Sequence, residues 1–169
     1  RWGISHVAIL AGHPTERRLI LWESTSLYPE PCILQEKIIS GVQAHEIWPR
    51  VRGYHGRAYI YPMQHKCEPD VLTDALFARL GEGYDAGGAW RARQTWLGSI
   101  ARWRHHKHKE AIWTSQFCSD LIADVWKSDE IWEPDHSDDW SPNLLARTAR
   151  AVGIIGDAIP FTDKYVTAA

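Results

Sequence analysis

Residues 5 to 11, SHVAILA, form a β-branched, apolar run, and residues 19 to 24, LILWES, repeat its character after Gly12, His13, Pro14 and Thr15. Two such runs around a turn cluster predict a β-hairpin. Symmetric pairing about that turn makes facing positions sum to about 29, which sets His6 opposite Glu23. A slip of one residue would send the two side chains to different faces. Further strands are expected over residues 45 to 51 and 57 to 61, with Gly53 and Gly56 marking the turn and Pro62 the end. A helix is expected from Pro69, where Leu72, Leu76 and Leu80 recur every four residues before Gly81. The stretch GEGYDAGG, residues 81 to 88, reads as a loop, and residues 89 to 103 as a helix with Trp96, Leu97, Ile100 and Trp103 on one side.

Residues 114 to 127, TSQFCSDLIADVWK, carry the clearest helical pattern, with Phe117, Leu121, Ile122, Val125 and Trp126 in one stripe and Cys118 in the first turn. A polar loop rich in Asp follows over residues 127 to 139. Ser141 then offers an N-cap and Pro142 a first helical position for a helix through about Val152, closed by Gly153. The tail GIIGDAIPFT adds one more short strand. The expected class is α+β, an antiparallel sheet packed against helices.

At 169 residues, with no internal repeat, linker or break in composition, the whole chain from 1 to 169 reads as one domain. Apolar residues make up 44% and charged residues 24%, the balance of a folded globular protein. A net charge of -2 supplies no basic surplus, so no nucleic-acid partner is expected. No apolar run approaches the roughly 20 residues of a membrane helix, so no transmembrane segment is expected either. Arg1 rather than Met at the start is compatible with a leader or propeptide upstream.

Ten tryptophans are many for this length. Most are expected in core packing, while Trp90, Trp96, Trp103, Trp113, Trp132 and Trp140 could present a surface to an assembly partner. Cys32, Cys67 and Cys118 lack CxxC spacing, and an odd count leaves at least one free thiol. His105, His106 and His108 stand among basic residues with no carboxylate or Cys ligand beside them in sequence, so no metal and no cofactor is expected.

Cys118 has the most informative surroundings. A thiol at a helix N-terminus meets the positive end of the helix dipole and unpaired N–H groups, which favour a thiolate and can hold an oxyanion. Such a Cys is more often an inert core thiol. A base within reach and a third group to orient that base change the reading. His6 and Glu23 are the candidates.

The segments SHVAILAG, LILWESTS, LGEGYDAGG, QFCSDLIADVWK and SPNLLARTA resemble, in order, those of the circularly permuted branch of NlpC-type papain-like proteins. That branch includes the YiiX-like proteins and, more distantly, the lecithin:retinol acyltransferase-like enzymes. Its His strand precedes its Cys helix. The resemblance implies a permuted papain-like fold with Cys118 as nucleophile at a helix N-terminus, His6 as general base and Glu23 as the third, polar member. Tyr84 and Asp85 match an element beside the cleft and, with Ser119 after the nucleophile, are expected to contact substrate. Asp120 departs from the pattern, since relatives commonly have Glu there, and a strand that often precedes the His segment would lie before Arg1.

The implied chemistry is acyl transfer through a Cys118 thioester, most concretely hydrolysis of an amide bond in a cell-wall (peptidoglycan) peptide, which would put the protein at the cell envelope. A lipid-directed thioesterase or acyltransferase and a catalytically idle module of a larger assembly are the alternatives.

Overall fold

The computed structural model describes residues 4–26, 28–84, 115–116, 118–128, 130–132 and 140–161. Strands β1 (Ile9–Gly12), β2 (Leu19–Thr25) and β3 (Gly41–His45) lead into the short helix α1 (Ile47–Arg52). After β4 (Tyr59–Ile60) come α2 (Pro69–Ala78) and β5 (Gly83–Tyr84). Then follow β6 (Ser115–Gln116), α3 (Cys118–Ser128), α4 (Pro142–Ala151) and β7 (Ile159–Pro160). The fold is mixed α+β.

The main sheet runs β1-β2-β3-β5-β6, antiparallel except for the last pair, and β4 with β7 makes a second, two-stranded sheet. Glycine is required where β3 meets β5. Gly41 has φ +134°, and a Cβ there would lie 1.8 Å from the Glu82 carbonyl oxygen. Only a bare Cα lets Val42 N donate to that same carbonyl, at 2.8 Å.

The pleat separates two kinds of position. Ile20 and Trp22 of β2 and Val42 and Ala44 of β3 join Leu72 and Leu76 of α2 and Leu121 and Val125 of α3 in one apolar cluster. On the other parity β2 and β3 carry Glu23, Gln43 and His45, all buried as well. A buried polar face must be satisfied internally, and that requirement shapes the site below. The second apolar cluster joins Ile122, Ala123 and Trp126 of α3 to Leu145, Ala146 and Ala149 of α4.

Several local expectations are corrected. The hairpin pairs Ile9 with Trp22 and Leu10 with Leu21, so facing positions sum to 31 rather than 29. The turn is longer than Gly12 to Thr15, closing with His13 N on the Arg18 carbonyl at 2.9 Å. Residues 47 to 52 form a helix instead of a strand. Pro49 decides this, because proline has no N–H for a ladder but fits the first helical turn, where that N–H would be unpaired anyway. Finally, Gly83 and Tyr84, read as loop, form β5, and Ser115 and Gln116, read as the start of a helix over residues 114 to 127, form β6, the helix beginning only at Cys118.

Other elements follow their sequence signals. Helix α2 starts at Pro69, and α4 starts at Pro142 with Ser141 Oγ accepting from Leu144 N at 3.3 Å. The tail supplies β7. Among the described residues no helix is long and apolar enough to cross a membrane. The helix expected over 89 to 103, most of the loop over 127 to 139 and the histidines at 105, 106 and 108 lie outside the described residues.

Candidate active site

Helix α3 begins at Cys118 because β6 delivers the chain beside β5, and the helix's apolar stripe then anchors it between both clusters. Cys118 is 1% exposed. Asp120 adds an acidic residue to the first turn, the favourable sign at that end of a helix.

His6 lies in the segment just before β1. Its Nε2 is 2.6 Å from Glu23 Oε2. The two-residue shift in register keeps parity within the ladder, and His6, three residues ahead of Ile9, reaches Glu23 from the unpaired segment. A carboxylate only accepts, so Nε2 carries the proton and Nδ1 is the nitrogen left for the sulfur. Burial depresses the His6 pKa, but hydrogen bonds to Cys118 and Glu23 outweigh it and raise the value to about 9. The imidazolium is therefore the favoured form at neutral pH. About a quarter of the side chain, 27%, remains exposed.

Glu23 is 1% exposed and would be costly to ionise alone. Burial pushes its pKa up, yet hydrogen bonds from His6 and Arg50 bring it down to about 2. Arg50 grips both oxygens, Nε donating to Oε1 and Nη2 to Oε2 at 2.9 Å. Its guanidinium carbon also lies 4.4 Å from the centre of the Tyr28 ring.

His45 Nε2 stands 3.8 Å from Glu23 Oε1 and 2.9 Å from Gln43 Oε1. The Gln43 amide nitrogen donates to the carbonyls of Thr25, Ile39 and Gly41, which fixes its oxygen as the acceptor. His45 must then carry its proton on Nε2. Burial lowers the His45 pKa, so this ring is neutral where His6 is charged.

Of the residues expected at the site, Cys118, His6 and Glu23 come together. Tyr84 is half-buried in β5, paired with Gln116, while Asp85 lies outside the described residues. Ser119 is buried, its hydroxyl donating to the Trp140 carbonyl. Sequence reading missed Arg50, His45, Gln43 and Tyr28. Pro49 was the available signal for Arg50, since it marks a helix that swings the guanidinium toward β2.

The remaining thiols are structural, Cys67 packing against both apolar clusters. Cys32 is buried and its Sγ accepts from Ala44 N at 3.4 Å, and none of the three cysteines is in a disulfide. Among the described residues no tryptophan is exposed: Trp132 packs against Trp126 and Trp140 at ring separations of 6.0 and 5.4 Å. Trp90, Trp96, Trp103 and Trp113 lie outside the described residues.

No family model, curated protein or solved structure matches this chain.

Proposed function

We propose that the protein is a papain-like cysteine hydrolase, with its motif order permuted, that cleaves an amide through a Cys118 thioester. The supporting observation is an imidazole hydrogen-bonded to a buried carboxylate and drawn toward its charged form by the thiol at a helix N-terminus as well as by that carboxylate. Such an arrangement suits a resting thiolate–imidazolium pair.

Cys118 attacks the carbonyl carbon, and backbone N–H groups at the start of α3 hold the oxyanion. Protonated His6 then gives its Nδ1 proton to the leaving amine as the C–N bond breaks. Water attacks the thioester, His6 takes its proton, and as the C–S bond breaks the acid product leaves with the thiolate–imidazolium pair restored. Glu23 keeps the ring oriented throughout. Ser119 contributes its backbone, since its hydroxyl is engaged with Trp140. The residue pattern resembling NlpC-type proteins supports a cell-wall peptide as the substrate and the cell envelope as the place of action.

The test compares wild type with Cys118→Ala on peptidoglycan peptides, acyl thioesters and phospholipids. Turnover of the peptides should be lost in the variant, with a melting temperature close to wild type because the change removes one sulfur. Hydrolysis confined to acyl substrates would move the reading to the lipid-directed class. Equal activity in both proteins, or none in wild type on any substrate, would refute it.

A further inference from the structure

We infer that Arg50, seated on the Tyr28 ring, is a positioning residue that fixes the Glu23 carboxylate in its ionised form with Oε2 turned toward His6. This rests on the hydrolase reading and extends the site to a fourth residue, one that acts through Glu23.

The geometry carries it. A carboxylate can rotate about its last bond, and a single hydrogen bond to His6 would not stop it. Arg50 bonds both oxygens, one with Nε and the other with Nη2, so the carboxylate plane is locked to the guanidinium plane. Oε2 is left with His6 Nε2 at 2.6 Å, and Oε1 faces His45 at 3.8 Å. Arg50 itself is only 13% exposed and is also held by the Tyr28 ring, over which its guanidinium lies. Tyr28 in turn meets His45 edge-on at 4.6 Å. The guanidinium thus sits between an aromatic face and a carboxylate, with little freedom to leave either.

The charged and titratable groups around Glu23 come from four places. They are His6 ahead of β1, His45 at the end of β3, Arg50 in α1, and Tyr28 with its neighbour Glu30 after β2. His45 is kept neutral by burial. Arg50 is therefore the permanent cation of the group, and without it the ionisation of Glu23 would depend on His6 alone. A pair that must stay ionised to work would then fail at higher pH on acidification.

Arg50→Gln and Arg50→Lys separate charge from fork geometry. The readouts are kcat/KM against pH and, needing no substrate, the pH dependence of Cys118 alkylation by iodoacetamide, a probe small enough for a nearly buried sulfur. Mass spectrometry assigns the label to Cys118 rather than Cys32 or Cys67. In Arg50→Gln the acid limb of both profiles should move up by about one to three pH units. Arg50→Lys should restore the limb to within about half a unit while kcat stays about tenfold down, because an ammonium cannot grip both oxygens. Superimposable profiles for Arg50→Gln and wild type would overturn the inference. If Arg50→Gln does not fold, Arg50→Lys decides: wild-type kcat overturns the positioning role, and a lowered kcat on an unmoved limb supports it. Because alkylation is read without substrate, a protein with no hydrolase activity still reports on Arg50.

Discussion

Glu23 and its neighbours titrate in opposite directions, and the balance sets a stability profile. His6 is raised from 6.5 to about 9, so its contribution is complete below pH 6.5 and is lost as pH climbs to about 9. Glu23 is depressed from 4.5 to about 2, so its contribution is complete above pH 4.5 and is lost as pH falls toward 2. His45 is held neutral, and its contribution fades as pH drops below 6.5. Stability should therefore peak near pH 6.5, with a decline on the alkaline side ending by about pH 9. Glu23→Gln should flatten both arms and lower stability by about 3–5 kcal/mol, since Arg50 would remain buried without its counter-charge. Melting temperature measured from pH 3 to pH 9 for both proteins checks this. An undiminished alkaline arm in the variant would show that His6 draws its shift from elsewhere.

Gly41 illustrates how single positions govern whole elements. Alanine there would combine a positive φ with a Cβ against the Glu82 carbonyl. Gly41→Ala should cost roughly 3 kcal/mol or more and part β3 from β5, as denaturant titration would show. Pattern reading recovered α2, α3 and α4 because each has a start signal and a helical stripe. It also brought His6 to Glu23 despite the wrong register, since an error of two residues preserves the face and an error of one would not. Arg50 was out of reach. Its placement depends on α1, six residues too short to show a period, in which only Pro49 argued against a strand. The role of Gln43 and His45 was equally hidden, because the strand expected over residues 45 to 51 instead runs Gly41–His45, which buries both side chains.

Across the molecule, α3 binds the two apolar clusters into one body. Leu121 and Val125 belong to the first, while Ile122, Ala123 and Trp126 belong to the second. The sulfur therefore rides on the most firmly packed of the described helices. The ring opposite it is mounted differently. Ladder pairing of β1 begins only at Ile9, and ahead of it the chain is held by Ile4 N on Asn143 Oδ1 at 3.3 Å, Ser5 Oγ with Tyr54 OH at 3.0 Å, and packing of Ile4 and Val7 on the second cluster. Amide protons of residues 5 to 8 should accordingly exchange well ahead of those in β2, and Asn143→Ala should widen the gap without changing exchange in α3. On the hydrolase reading, one half of the proposed chemistry is thus bolted down and the other hooked on, so anything that unhooks the first few residues would disarm the thiol while the rest of the protein stays whole.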